Sequence, residues 1–174
     1  MKKRYLTALI TIIASFVFLC ACSENKTDNS LMKYLGDYSY SDPAVCMVYE
    51  TVEGETDDDG NPLYGIQYRK INDFNGLKNS GGTFLIYFYS SMDNRSAQIT
   101  ASVEDVALEY NGKLTVLMLD SIEYKDLMEK YNIDAVPEFV LVKKGQEDKV
   151  FGSTKQDYWT VNDVLIWLQE NGIA

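Results

Sequence analysis

Three cysteines, at positions 20, 22 and 46, are the residues of this 174-residue chain best suited to nucleophilic or redox chemistry. Two thiols can exchange disulfides, and a thiol activated by a histidine can attack a carbonyl carbon. The chain contains no histidine, which excludes Ser/His and Cys/His pairs and removes the commonest ligand of transition metals. The sequence therefore gives little support to a hydrolase or a metalloenzyme, and we expect no metal and no cofactor.

The N-terminal residues determine the fate of two of these cysteines. Three positive residues at positions 2–4 precede an apolar run, 6–19, that has the length of the hydrophobic region of an export signal. The following Leu19-Cys20-Ala21-Cys22 resembles the bacterial lipobox. We therefore expect residues 1–21 to be a lipoprotein signal peptide and Cys22 to carry the lipid that holds the chain at the outer side of the bacterial cell membrane. An uncleaved N-terminal anchor helix is the alternative.

The charge of the chain limits its partners. After loss of residues 1–21, 13 Lys and Arg would remain against 26 Asp and Glu, a formal charge of −13. Phosphate groups of nucleic acid and anionic lipid headgroups repel such a surface. We expect no nucleic-acid partner, and contact with the membrane through the N-terminal lipid.

Cys46 would be the one thiol left in the folded part, so no intramolecular disulfide could form. Such a thiol is either buried and inert or pairs with another chain.

The composition divides the mature chain into three parts. Residues 22–33 begin with a polar run that predicts a tether, residues 34–62 form an N-terminal extension, and residues 63–174 form the main domain. In the extension, Ala44–Val52 predicts a strand, although a helix beginning at Pro43 is also compatible with the sequence. This strand would pair with Leu63–Lys70 as a hairpin.

The residues between these two segments, 53–62, predict an acidic loop. Its Glu55-x-Asp57-x-Asp59-Gly60 is similar to the start of a calcium-binding EF-hand loop, but Ile66 stands where the bidentate Glu would be required. A solvated acidic turn is the simpler interpretation, and calcium binding stays the alternative.

From residue 63 onward, strand and helix patterns alternate. Continuous apolar runs at Thr83–Tyr89 and Leu114–Leu119 predict buried strands, and runs at 139–142 and 150–151 predict a hairpin. Helix starts are indicated by residues that cap N-termini, namely Asn72 or Asp73, Asp93, Ser121, and Thr160 with Asp163.

This order of elements resembles the thioredoxin fold, and the resemblance extends to motifs. They are Glu-Tyr-x-Gly-Lys-Leu-Thr-Val at 109–116, Tyr-x-Ile-x-Ala-Val-Pro-x-Phe at 131–139, and Lys-x-Gly at 143–145. The resemblance implies an α/β fold, a thioredoxin-like three-layer sandwich with a mixed central sheet, here with an N-terminal extension. It also implies a cis peptide bond between Val136 and Pro137.

The same resemblance implies that the dithiol of the family is missing. Asp93-Asn94-Arg95-Ser96 corresponds to its Cys-x-x-Cys motif, and Met92 corresponds to the Trp that precedes the motif. Tyr87 and Met118 correspond to the buried acid and the Lys that support the second thiol, and Ala101 to the Pro that kinks the long helix. Asp93 would cap a helix but could not attack a disulfide. We therefore expect a domain without ordinary thiol–disulfide exchange.

Members of the family hold extended polypeptide beside the cis-proline, so the leading hypothesis is a peptide-binding or protein-binding groove formed by Val136, Pro137 and Glu138 with residues 92–96. Apolar contacts would come from Met92, Tyr89, Val136 and Phe139, and polarity from Asp93, Arg95 and Glu138. Simpler roles are equally compatible with the sequence: Phe139 as core, Met92 as loop filler and Arg95 as a solvated side chain.

Two other hypotheses stay open. An enzyme resembling thiol–disulfide oxidoreductases would need Cys46, or a partner thiol, close to Asp93. An accessory role in export would resemble lipoproteins that assist bacteriocin transport and carry thioredoxin-like domains. The six tyrosines between positions 34 and 68 would either cover one face of the sheet or form an adhesive surface.

Overall fold

The computed structural model describes residues 29–174, so the predicted signal peptide, Cys22 and the tether up to residue 28 lie outside the described residues. The seven strands are β1 Leu35–Tyr38, β2 Ala44–Thr56, β3 Pro62–Ile71, β4 Thr83–Tyr89, β5 Thr115–Asp120, β6 Glu138–Lys143 and β7 Lys149–Val150. The α-helices are α1 Phe74–Lys78, α2 Asn94–Glu109, α3 Lys125–Lys130 and α4 Val161–Glu170, and two 3₁₀ helices span Asn29–Tyr34 and Ser153–Lys155.

The strands form one mixed sheet in the order β1-β3-β2-β5-β4-β6-β7. β4 runs parallel to β5 and antiparallel to β6, as in the α/β arrangement predicted from the resemblance. The predicted hairpin of β2 and β3 is confirmed, and the segment that begins at Ala44 is a strand rather than a helix. β2 also pairs antiparallel with β5, so it lies between β3 and β5 inside the sheet.

Helices cover both faces of the sheet and make three layers. Alternate residues of β4 separate the two sides: Leu85 and Tyr87 belong to the core formed with α2 and α4, whereas Phe84 and Phe88 belong to the core formed with α1 and α3. All four side chains are fully buried, as expected for a strand covered on both faces. The predicted three-layer, thioredoxin-like α/β fold is therefore confirmed.

The acidic loop is shorter than predicted, because Glu53–Thr56 continue strand β2. The turn that remains is closed by Asp57, whose carboxylate accepts hydrogen bonds from the backbone N–H groups of Asp59 and Asn61 at 3.0 and 2.8 Å. The Asn61 side-chain amide also donates to this carboxylate, and that bond is the largest cause of the lowered pKa of Asp57, followed by the backbone bond from Asn61. The carboxylate thus serves the turn itself.

Most helix starts follow the predicted caps. Asp73 and Asp93 accept hydrogen bonds from the third residue beyond them, and Thr160 with Asp163 forms a capping box. The prediction for Ser121 is wrong, because α3 begins four residues later and Tyr124 precedes it without a side-chain cap. Asp120 instead accepts from the Ile122 N–H at 2.8 Å, so a turn separates β5 from α3.

Among residues 29–174, no helix combines the length and the apolar character that crossing a bilayer requires.

Candidate functional site

Three loops meet at one edge of the central sheet. The C-terminal ends of the parallel strands β4 and β5 lie at the same edge as the N-terminal end of antiparallel β6. This places residues 90–96, 121–124 and 131–137 side by side, and we call this region the cis-Pro edge because the Val136–Pro137 peptide bond is cis. The residues predicted to line a groove belong to this edge or to the strands that end there.

Asp93 is a structural cap in this loop. Its carboxylate accepts a hydrogen bond from the Ser96 N–H at 2.6 Å, and its own N–H donates to the Ser90 carbonyl oxygen at 3.1 Å. A carboxylate at this position also gains from the partial positive charge of the helix N-terminus. Asp93 therefore stabilises the first turn of α2, and it provides no sulfur atom that could attack a disulfide.

Ser96 is buried, and both its hydroxyl and its backbone carbonyl accept hydrogen bonds. Its side chain is 1% exposed, and its hydroxyl oxygen accepts from the Ser90 N–H at 3.3 Å. Its backbone carbonyl accepts from the Thr100 hydroxyl at 2.8 Å and from the Tyr87 hydroxyl at 3.0 Å. No basic side chain contacts the Ser96 hydroxyl among the described residues, so nothing there activates it as a nucleophile.

Tyr87 occupies the interior directly beneath this turn. Its ring stacks on Phe139 with a centroid separation of 5.1 Å and an interplanar angle of 14°. Met118 faces it as its register partner on β5. Burial raises the pKa of Tyr87 to about 12. Where the resemblance implies a proton-transferring acid, this chain holds a neutral phenol with a structural hydrogen bond.

The other side chains of the loop differ in their contacts. Met92 is 84% exposed. Arg95 is also exposed, but it contacts the loop that precedes α4. The Arg95 guanidinium lies 4.3 Å from the centroid of the Trp159 ring and donates to the Trp159 carbonyl oxygen at 2.9 Å. Arg95 therefore links α2 to the loop that contains Trp159. The sequence suggested that Arg95 either sets the polarity of a groove or is a solvated side chain, and neither role includes this contact.

Glu138 differs from the expectation that it sets the polarity of a groove. It is 2% exposed, and its carboxylate accepts from the backbone N–H groups of Phe139, Gly152 and Ser153 at 2.9, 3.1 and 2.8 Å. Burial raises its pKa, and these hydrogen bonds oppose that shift. The Ser153 hydroxyl also donates to the Pro137 carbonyl oxygen at 2.7 Å. Glu138 and Ser153 thus hold the cis-Pro loop in place from inside.

Neither of these two links was visible in the sequence. Ser153 is 15 residues from Glu138 and Trp159 is 64 residues from Arg95. No motif marks Ser153, although the Gly152 before it adopts a φ of 79° and so signals a sharp turn.

Val136 offers backbone groups at this edge. Within residues 29–174, its N–H and C=O groups take part in no hydrogen bond of the sheet, the turns or the side chains. A cavity of about 410 Å³ lies beside it, with Met128 and Ile133 as apolar lining and Lys125, Glu129 and Asp134 among its polar lining. Phe139, by contrast, is 1% exposed and belongs to the core.

Cys46 lies away from the cis-Pro edge. It pairs with Leu117 in the middle of β5, and its side chain belongs to the core on the α1 and α3 side of the sheet, opposite α2. The thiol is fully buried, and burial raises its pKa. The structure therefore does not bring the thiol to Asp93. Among the described residues no cluster of acidic or cysteine side chains is arranged to hold a metal ion.

Comparisons with known proteins agree with this architecture. The model of the Thioredoxin family matches residues 68–161, more than half of the chain. A Thioredoxin H-type from Fagopyrum esculentum is 31% identical over 85 residues, which are 48% of this chain and 72% of that protein. A Thioredoxin from Staphylococcus aureus is 32% identical over 76 residues, 43% of this chain and 73% of that protein.

Solved structures give weaker matches. The J-Trx1 fragment of ERdj5 matches with a TM-score of 0.45 and 13% identity over 56% of this chain and 45% of that one. The germline-specific thioredoxin protein Deadhead from Drosophila melanogaster matches with a TM-score of 0.43 and 16% identity over 54% of this chain and 83% of that one. Because the family model matches more than half of the chain and a curated thioredoxin is 31% identical over 72% of its own length, the chain belongs to the thioredoxin family.

Proposed function

We propose that this protein is a membrane-anchored, extracytoplasmic thioredoxin-like domain that binds an extended polypeptide at the cis-Pro edge and performs no thiol–disulfide exchange. The observation that carries the proposal is the free backbone of Val136, which precedes the cis-proline and borders a cavity.

Free backbone groups at this position suit strand-like recognition. An extended segment can accept a hydrogen bond from the Val136 N–H and donate one to its C=O. These two bonds, each contributing about 1 kcal/mol, give weak binding that side-chain contacts must strengthen. The exposed thioether of Met92 provides one apolar contact, and the lining of Met128 and Ile133 provides another.

The chemistry of the loop supports the absence of exchange. Disulfide exchange begins with attack by a thiolate, and residues 47–174 contain no cysteine. The positions at the start of α2 are filled by a capping carboxylate and a buried hydroxyl. Cys46 is withdrawn into the opposite core, which argues against the hypothesis that it replaces the missing thiol pair.

The membrane location rests on the N-terminal sequence. Its positive start, its apolar run and the lipobox ending in Cys22 support export and lipidation. A domain held near the membrane by lipid meets its partner at a raised effective concentration, so weak groove binding is compatible with function.

The proposal can be tested with an unfolded polypeptide that carries no free thiol. We suggest reduced and carboxymethylated α-lactalbumin, added to the full chain in a non-ionic detergent, with binding followed by fluorescence anisotropy. Two substitutions target the edge. Val136→Pro removes the free backbone N–H, and Met92→Asp replaces a mostly exposed apolar side chain with a negatively charged one. We expect each to weaken binding about tenfold, equivalent to about 1.4 kcal/mol.

A matched control is Leu108→Asp, because Leu108 is a half-exposed apolar residue near the other end of α2. It should bind like the parent protein. Equal binding by the parent and by Met92→Asp would exclude the cis-Pro edge as the binding surface. The redox half of the proposal is tested by insulin reduction: turnover that disappears in Cys46→Ala would overturn it.

A further inference from the structure

A second cavity lies on the α2 side of the sheet, between the N-terminal extension and the main domain. It encloses about 290 Å³ between the extension, the end of β4 and the outer surface of α2. We call it the tyrosine cavity and define it by the residues used below: Tyr40, Asp42 and Tyr68 of the extension and β3, Tyr89 of β4, and Glu104 of α2.

Aromatic rings form much of its wall. Tyr40 and Tyr68 lie with ring centroids 5.3 Å apart and are tilted at 49° to each other rather than stacked in parallel. Tyr68 is buried at the base, whereas Tyr40 is 77% exposed and stands at the mouth. Tyr89 lines the same space and is half-buried. The negative faces of such rings attract cations.

The charged groups of the cavity are acidic. Asp42 forms an ion pair with Lys70 at 2.9 Å, which compensates its charge. Glu104 accepts a hydrogen bond from the Tyr68 hydroxyl, and among the described residues it forms no ion pair with Lys or Arg. Within the part of the chain that the structure describes, no Lys or Arg lines the cavity. One carboxylate therefore faces the tyrosine rings without a cation.

The protonation of the phenols agrees with this picture. Burial and the bond to Glu104 raise the pKa of Tyr68 well above its ordinary value. Burial and the charge of Asp120 raise the pKa of Tyr89. The phenols of Tyr68 and Tyr89 thus stay neutral at physiological pH.

We propose that the tyrosine cavity binds an organic ammonium group. The rings would contact its alkyl carbons and its positive charge, and Glu104 would provide the counter-charge. An anion would be repelled, and a neutral molecule would gain from the rings alone. The cavity lies between the extension and the main domain, and Ser90 and Ser91 of the cis-Pro edge also line it. The proposal nevertheless does not depend on peptide binding at that edge.

The same chemistry can come from two sources: a free amine, or a lysine side chain of a polypeptide. n-Butylammonium represents the first, and Nα-acetyl-lysine-N-methylamide represents the second. 1-Butanol is the neutral control, because it has the same chain length without the charge. The full chain is kept in a non-ionic detergent, since zwitterionic detergents would themselves supply ammonium groups.

Binding is measured by isothermal titration calorimetry and by tyrosine fluorescence. We expect saturable binding of n-butylammonium with a dissociation constant of about 1–10 mM, and at least about tenfold weaker binding of 1-butanol. A lysine derivative that binds tighter than n-butylammonium would identify a polypeptide as the source, and a lysine derivative that binds more weakly would identify a free amine.

Two substitutions locate the site. Glu104→Gln removes the charge but keeps an acceptor for the Tyr68 hydroxyl, and Tyr40→Ala removes the outer ring. Each should weaken n-butylammonium binding about fivefold to tenfold. Their controls are Asp105→Asn, on the exposed side of the same helix, and Tyr158→Ala, whose ring is 79% exposed elsewhere. Both should bind like the parent.

Three results would overturn the proposal. They are no saturable binding up to about 50 mM, binding of 1-butanol equal to that of n-butylammonium, and unchanged affinity in both Glu104→Gln and Tyr40→Ala. Thermal unfolding of each variant shows whether a loss of binding reflects loss of the fold, and Tyr40→Ala guards against that ambiguity because its ring is mostly solvated.

Discussion

The hydroxyl of Tyr87 donates a hydrogen bond to the backbone carbonyl oxygen of Ser96, at 3.0 Å. This bond joins the central strand to the first turn of α2, at the point where the resemblance places the second thiol and its supporting acid. The two positions remain coupled, but the coupling is structural.

Replacing Tyr87 by Phe should destabilise the protein by about 1 kcal/mol. The ring still stacks on Phe139, and the Ser96 carbonyl keeps its bond from Thr100, so the loss is that of one neutral hydrogen bond. Urea unfolding followed by tryptophan fluorescence measures the change. The matched control is Tyr158→Phe, on an exposed ring, which should shift the free energy of unfolding by less than about 0.5 kcal/mol. A Tyr87→Phe variant as stable as the parent would show that the bond contributes nothing.

The raised pKa of Tyr87 should make the free energy of unfolding depend on pH. The pKa of Tyr87 is raised to about 12, above the ordinary value of 10.0. Between these values the folded protein retains a proton that the unfolded chain releases, so the free energy of unfolding falls as the pH rises. Other buried tyrosines add to this fall, and therefore the diagnostic quantity is the difference between proteins: Tyr87→Phe should lose less stability than the parent from pH 10 to pH 12. Parallel curves would contradict the assignment.

Asp93→Ala tests the helix cap. Loss of the bond to the Ser96 N–H should cost about 1 kcal/mol, with a range of about 0.5–2. Asp93→Asn keeps a capping oxygen and should lose much less. Asp105→Ala, at an exposed position inside α2, serves as a control for removal of an acid from the helix. Equal stability of Asp93→Ala and the parent protein would mean that the cap is replaced by solvent.

Glu138→Ala should be the most destabilising of these changes, at about 3 kcal/mol. It leaves the part-buried N–H of Gly152 and the buried N–H of Ser153 without acceptors and opens a void behind the cis-Pro loop. Hydrogen exchange at those two amides should accelerate together with the fall in stability. Glu147→Ala, in the exposed turn between β6 and β7, is the control. Slow exchange at both amides in Glu138→Ala would show that other groups satisfy them.

Chemical labelling tests the position of Cys46. A fully buried thiol with a raised pKa should react with iodoacetamide about 100-fold more slowly in the folded protein than in guanidinium chloride. Mass spectrometry of the peptide containing Cys46 separates its reaction from that of the other cysteines. Similar rates in the two conditions would place the thiol at the surface and would reopen the oxidoreductase hypothesis.

The elements of the main domain could largely be predicted because their signals are local. The apolar run of β4 and the capping box of α4 each depend on residues within one element. The position of β2 could not, since the alternation of a strand shows which faces are buried but not which strands are its neighbours. The sequence predicted the hairpin with β3, and the contact with β5 came only with the structure.

In the candidate site, too, features that depend on neighbouring residues could be predicted, whereas contacts between distant segments could not. The role of Asp93 as a cap follows from its place before a helical pattern. The burial of Glu138 does not, because a charged residue after a proline is ordinarily solvated and its hydrogen-bond donors lie on another loop. The contact of Arg95 with Trp159 could not be predicted for the same reason, since Trp159 follows it by 64 residues.

The position of β2 has a consequence for self-association. By lying against β5, it removes one flank that another chain could otherwise extend. The outermost strands that remain in the described sheet, β1 and β7, have four and two residues. β1 pairs with β3 only at Arg69 and Ile71, so most of the ten-residue β3 is not covered by β1. The short outer strands therefore do not by themselves close this side of the sheet to a strand from a second copy.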